Sequence, residues 1–135
     1  MTNEGMICKT YDFYVDDEIA AEAITKGLVV NANAGSNQRV TLTDGDATDI
    51  FPYGVALEDG TAAGTTISVC WRGIVECLCT PGATIYKNTP LAAGADGTIT
   101  AAWTTALAEY RMIGHLLDTS ITTASAECKI MLAGW

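Results

Sequence analysis

The sequence predicts an all-β domain, a compact barrel or sandwich. Two observations carry this reading. Short runs rich in Thr, Val and Ile recur between Gly, Asp and Asn, as in "GLVVN", "QRVTLT", "YGVALE", "TTISVCW", "GIVECLC", "GTITA", "RMIGHLL" and "AECKIML", and runs of that length and spacing are strands of closed or stacked sheets. The chain also contains itself twice, so that each half repeats the same strand pattern. At 135 residues one domain is expected, able to bury roughly two thirds of its unfolded surface and to fold without disulfide or metal staples.

In "GMICKTYDFYV" Ile7, Lys9, Tyr11, Phe13 and Val15 alternate with Cys8, Thr10, Asp12 and Tyr14, the pattern of an extended strand with one largely apolar face. Residues 1–15 are therefore set apart as an N-terminal arm from a single β domain at 16–135. The arm precedes both copies of the repeat and has no counterpart in the second. Two readings of it stand: a strand offered to a partner's sheet edge, or a strand closing the domain's own barrel. Next, "VDDEIAAEAITKG" predicts one short helix. Asp16 or Asp17 can cap it, acidic residues fill its first turn, Lys26 lies near its end and Gly27 stops it. Its Ala-rich face would suit a sheet equally well.

The repeat aligns "FPYGVALEDGTAAGTTISVCWRG" with "YRMIGHLLDTSITTASAECKIMLAG". Gly54 falls on Gly114, 60 residues on, with Val55-Ala56-Leu57-Glu58 over His115-Leu116-Leu117-Asp118. One inserted residue in the second turn raises the offset to 61, and Ile67, Val69 and Trp71 then fall on Cys128, Ile130 and Leu132. Upstream, "KGLVVN" parallels "PGATIY", with Gly27 over Gly82 at an offset of 55, so the copies span about 24–73 and 79–134. Alternation along a strand assigns Ile67, Val69 and Trp71 to the core face and Thr66, Ser68, Cys70 and Arg72 to the other. The second copy agrees, with Cys128, Ile130 and Leu132 opposed to Glu127, Lys129 and Met131.

Three of the five cysteines fall within "CWRGIVECLC". Glu76 is costly to bury unpaired, which places Ile74, Glu76 and Leu78 outward and Val75, Cys77 and Cys79 inward, as small buried hydrophobes. A bridge between Cys77 and Cys79 is disfavoured, because parallel side chains two residues apart are separated by about 6.6 Å of strand. Paired C-x2-C knuckles of a zinc site and a C-x-x-C redox pair are both missing, with Cys70 on the opposite face and Cys8 and Cys128 far away in sequence. No cofactor is expected.

Other chemical candidates are thin. His115 is the sole histidine, with no acid placed by sequence to orient it, and belongs to the core or to a subunit contact rather than to catalysis. "DGDATD" lacks the glycine and glutamate of a calcium loop, leaving Asp44-Gly45 as a turn and Asp44, Asp46 and Asp49 as a candidate weak cation site. Phosphate-loop glycines and nucleophile elbows do not occur. An enzyme is not expected.

Sixteen Asp and Glu against seven Lys and Arg give a net charge of -9, which argues against nucleic acid and anionic membrane surfaces as partners. No apolar run approaches the ~18 residues that span a bilayer. The start of the chain lacks the basic and apolar regions of a secretory signal, so free thiols in a reducing compartment are expected.

"KGLVVN", "YGVALEDGTAAGTTISVCWRGIVE", "PGATIYKNTPLAAGADGTIT" and "MIGHLLDTSITTASAECKIML" together resemble the capsid decoration, or cement, proteins of tailed bacteriophages, over about residues 24–133. In that family a G-x-x-V strand precedes an IGVAL-like strand, an Ala/Gly turn, a V-x-V-x-x-G-x-V hairpin, a second G-x-x-V-Y element and a terminal IG-x-AL copy. His115 in place of an aliphatic residue, five cysteines and the acidic "YVDDEIAAE" depart from it. The resemblance implies a β-barrel or β-tulip-like domain, made in the host cytoplasm, that binds the outer capsid surface of the virion as a homotrimer, with the major capsid protein and itself as partners. It would make Ile7, Lys9, Tyr11, Phe13 and Val15 a capsid-binding arm. Cys70 and Met131, on the outward faces of equivalent strands, and His115 would then mark a subunit interface. The rival readings are a tail-associated or ligand-binding β module and, further off, an enzyme or thiol-metal protein.

Overall fold

The structure, a computed structural model, describes residues 14–32, 39–44, 53–78, 84–101, 112–118 and 127–132. Among them run nine strands: β1 (Tyr14–Ala20), β2 (Val29–Ala32), β3 (Arg39–Leu42), β4 (Tyr53–Ala56), β5 (Thr66–Leu78), β6 (Pro90–Ala93), β7 (Ile99–Ala101), β8 (Met112–Leu116) and β9 (Glu127–Leu132). A 3-10 turn, Ala95–Gly97, joins β6 to β7. The protein is all-β. Its sheet runs β1-β3-β2-β4-β5-β9-β8-β6-β7, and a further β1–β5 pairing closes the first five strands into a barrel.

The helix expected from residue 16 is instead β1. It pairs antiparallel with β5 from Tyr14↔Arg72 to Ile19↔Thr66 and parallel with β3 at Ile19↔Arg39 and Ala20↔Val40. Two ladders supply partners for the backbone that a short helix would leave unsatisfied at its ends, and this tertiary gain overrides weak local propensity. Glu22, one of the acids expected in the helix, instead ties the end of β1 to β3, its carboxylate accepting the Thr41 hydroxyl and, at 3.1 Å, the Leu42 N–H. Gly27 does take the left-handed conformation expected of a helix stop, φ 90, but within a turn closed by Leu28 N–H donating to Thr25 O. A helix C-cap and a turn ask for the same glycine.

The duplication is visible in the ladders. Val55↔Cys70 and Ala56↔Val69 recur as His115↔Met131 and Leu116↔Ile130, the register read from the sequence. Beyond the strands, Leu57 N–H donates to Ser68 O as Leu117 N–H does to Lys129 O, and Ser68 N–H donates to the Glu58 carboxylate as Lys129 N–H does to that of Asp118. The upstream alignment is corrected. Gly27 corresponds to Asn88, also left-handed at φ 67: Gly27 N–H donates to Ala56 O and Asn88 N–H to Leu116 O. Asparagine tolerates this conformation better than most residues, so the turn persists without the glycine that a sequence match seeks. Gly82 lies outside the described residues.

A second correction concerns the end of the arm, Tyr14 and Val15, which as the start of β1 does have a counterpart. Asp17↔Ser68 and Ile19↔Thr66 are repeated by Glu76↔Lys129 and Leu78↔Glu127, so Gly73–Leu78, the far half of β5, does for β9 what β1 does for the near half of β5. Counted by register, each copy begins earlier than the sequence places it, with β1 in the first and with Gly73 in the second. β5 finishes the first barrel and opens the second unit, β5-β9-β8-β6-β7.

Each unit has an apolar interior. Ile24, Val30, Val40, Ala56, Ile67 and Val69 fill the first, with Trp71 packed against them. Their equivalents Ile85, Leu91, Ile99, Leu116, Cys128 and Ile130 fill the second. The core face read from alternation is therefore correct in both copies. Val75 and Cys77 also point inward as expected, and Glu76 is exposed; Cys79 lies outside the described residues. A buried thiol acting as a small hydrophobe leaves a small cavity when removed, so Cys77→Ala should cost on the order of 1 kcal/mol. Thermal denaturation checks it, and elemental analysis finding stoichiometric zinc in protein purified without added metal would contradict the structural role.

Candidate functional site

Outward-facing residues of neighbouring strands line up in rows, since directly opposed partners share a face. On the first barrel one such row runs Val29, Val55, Cys70, Val15. Its duplicate on the second unit runs Pro90, His115, Met131, Ile74. The two rows have different fates. Val29, Val55 and Cys70 are fully buried and belong, with Tyr53, to the same apolar cluster as the second unit's interior. Pro90 is exposed, and His115, Met131 and Ile74 are half-buried.

This corrects the outward placement of Cys70. Alternation puts it opposite Ile67, Val69 and Trp71, where it is, but that side is a second core and not a surface. Burial pushes its thiol up from the ordinary value, against a lowering hydrogen bond to Arg72 O at 3.2 Å. An interface role for Cys70 rested on the outward placement. Met131 and His115 do lie side by side on an accessible face, directly opposed across β8 and β9. The neighbours of His115 across the sheet are Pro90 and Met131, neither an acid nor a nucleophile.

Val15 is a rung of β1 opposite Cys70, 37 % exposed, with Ile19 at 43 % and Tyr14 at 54 %. The other arm residues, Ile7, Lys9, Tyr11 and Phe13, lie outside the described residues. Between these apolar groups stand Asp16, Asp17 and Glu18. Tyr14 donates its hydroxyl to Asp16 at 3.2 Å, and the charge of Asp16 is the main cause that raises the phenol's pKa. The Glu18 carboxyl is also raised, first by burial and then by Asp16, while a hydrogen bond with Trp71 lowers it. A carboxyl raised in the fold favours the folded state in its protonated form, so stability is lost as pH climbs through the raised value. Glu18→Gln should therefore melt about 1–3 °C higher than wild type at pH 7, the size of shift a partly exposed charge supports. The gain should vanish below the ordinary carboxyl value of 4.5, and a gain that persists there would refute the electrostatic cause.

Cys77 and Cys128 face each other directly across β5 and β9, both as buried thiols, with Cys128 Sγ 3.5 Å from Cys77 O. Sequence reasoning weighed Cys77 against Cys79 and missed this pair; the repeat register, continued into the β5–β9 ladder, was the signal that could have found it. Among the described residues no three His, Cys, Asp or Glu side chains converge to hold a metal ion. Of the candidate cation ligands Asp44 is exposed just after β3, and Asp46 and Asp49 lie outside the described residues. No described helix is long and apolar enough to cross a membrane.

No protein-family model matches the chain, and no curated protein matches its sequence. Its fold is similar to that of the N base of head fiber gp8.5 in bacteriophage phi29, with a TM-score of 0.61 and 14 % identity over 90 % of this chain and 94 % of that one. At that identity the likeness is one of fold.

Proposed function

We propose that this protein is a structural virion protein that binds the outer surface of a phage capsid as a homotrimer and stabilises the shell. One observation carries the reading: a fold shared over nearly the whole of both chains with a phage head fiber base, reached independently of the decoration-protein motifs in the sequence. The major capsid protein is the partner. Each trimer would bridge neighbouring capsid subunits, and many modest contacts would resist outward pressure together. Since β1 is taken into the barrel from Tyr14 onward, the attachment arm is residues 1–13, with Ile7, Lys9, Tyr11 and Phe13 as its apolar and basic contacts. Addition of that segment to a sheet edge of the capsid protein would provide backbone hydrogen bonds without a preformed pocket.

Co-sedimentation with empty expanded shells of the same virus tests this. Wild type should pellet with shells, and a variant lacking residues 2–13 should keep its melting temperature and remain in the supernatant. A wild-type protein that stays in solution would remove the capsid reading in favour of a tail-associated or ligand-binding module. A truncated protein that unfolds would make the segment part of the domain rather than an arm.

A further inference from the structure

The duplication that builds the two units leaves them unequally covered. On the first barrel, Val29, Val55 and Cys70 are buried in one cluster with the second unit's interior, and second-unit groups bond to residues just before β2 and just after β3. Gly97 N–H donates to Thr43 O at 3.0 Å, Leu78 N–H donates to Gly27 O at 2.9 Å, and the Thr43 hydroxyl donates to Gly94 O at 3.0 Å. The matching row Pro90, His115, Met131, Ile74 keeps an apolar chemistry yet remains accessible, and Met112 on the same strand as His115 is 36 % exposed. A face that the chain buries in one copy and leaves open in the duplicate marks an interaction surface.

What fits it is indicated by the other end of the buried row, which continues past Cys70 onto β1. Val15, Asp17 and Ile19 stand opposite Cys70, Ser68 and Thr66, so they share the outer side and form an apolar, acidic, apolar strip continuous with the barrel-to-barrel contact. Across from it in chemistry, Met131 and Lys129 share the outer side of β9, opposite Ile74 and Glu76 of β5. Charge disfavours one of the possible pairings. Residues 1–72 hold 11 Asp and Glu against 4 Lys and Arg, and residues 73–135 hold 5 against 3. Both halves are net acidic, so two first barrels face to face would repel most, and the opposite charges that a first barrel can set against a second unit are those of Asp17 and Lys129.

We propose that a second copy of this chain seats its Val15–Asp17–Ile19 strip on the Pro90, His115, Met131, Ile74 row, with Asp17 facing Lys129. The contact joins two different faces, so it is heterologous and continues from chain to chain until a ring closes. It extends between chains the order of units that exists within one. This deepens the homotrimer proposed above and requires nothing from the shell, because both surfaces belong to the same protein.

Analytical ultracentrifugation of the full chain in the micromolar range tests it. Wild type should sediment as a trimer. Met131→Glu should weaken association about tenfold or more, as expected when a central interface side chain is replaced by a charge, while keeping the wild-type circular dichroism. Asp17→Lys and Lys129→Asp should each weaken it, and the double variant should restore it, which a folding defect would not do. A wild type that is monomeric throughout, or trimers indifferent to all three substitutions, overturns the interface. Shell co-sedimentation reads separately: trimers that ignore shells sink the capsid reading alone, and monomers that bind shells sink this interface alone.

Discussion

Gly114→Ala is expected to lower the melting temperature by about 10 °C or more, or to leave the second unit unfolded. A Cβ built on Gly114 would stand 1.7 Å from Met131 O, 2.8 Å from its carbonyl carbon and 3.3 Å from Leu132 Cα, at φ 156. All three atoms are backbone, held on both sides by Gly114↔Leu132 and His115↔Met131, so no side chain can rotate away. Relief needs the β8–β9 ladder to open, a cost above about 4 kcal/mol that places the change among the most damaging single substitutions. The equivalent Gly54 gives the internal control. Its Cβ would meet Val69 Cγ1 at 2.6 Å, a Trp71 ring carbon at 2.8 Å and Cys70 O at 3.0 Å, two of them side-chain atoms and none as close as the 1.7 Å contact at Gly114. Gly54→Ala should cost about 1–3 kcal/mol, in the range of overpacking. Thermal denaturation of both variants ranks them, and a milder Gly114→Ala would contradict the close approach of β8 to β9.

Removing residues 1–20 is expected to abolish the soluble monomeric or trimeric fold, in contrast to removal of residues 2–13. β1 is the strand that closes the first barrel, and without it β5 loses its partner from Thr66 to Arg72 and β3 loses its partner at Arg39 and Val40. Two open edges beside Ile67, Val69 and Val40, fully or nearly fully buried in the intact chain, form a template for edge-to-edge pairing. Aggregation in light scattering, with loss of the cooperative melt, is the expected result. A truncated protein that stays monodisperse with the wild-type melting temperature would show that β1 is dispensable.

The strand-by-strand reading succeeded where local pattern and global fold ask for the same thing. Ile67, Val69, Cys128 and Ile130 alternate with polar residues, and a sheet with one buried face must place them inward. The Gly54 and Gly114 match held because a Cβ at either position would stand closer than 3 Å to its neighbours. Reading failed where one local signal serves two structures. Asp16, Asp17 and Gly27 fit a helix or a strand and turn, and the choice was made by β3 and β5, which lie 20 residues or more from Ile19 along the chain.

Composition and periodicity alone determined the all-β class, the duplication, the β4–β5 and β8–β9 registers and the inward side of Cys77, because each follows from side-chain alternation and turn chemistry within a few residues. Only the tertiary structure decided that β1 closes a barrel, that Asn88 replaces Gly27 in the second copy, that Cys77 faces Cys128, and that Cys70 is buried while Met131 and His115 are not. Those outcomes depend on which strand lies beside which and on what one unit lays over the other. Identical local patterns in the two copies carry no information about that, since burial is a property of the neighbour and not of the strand.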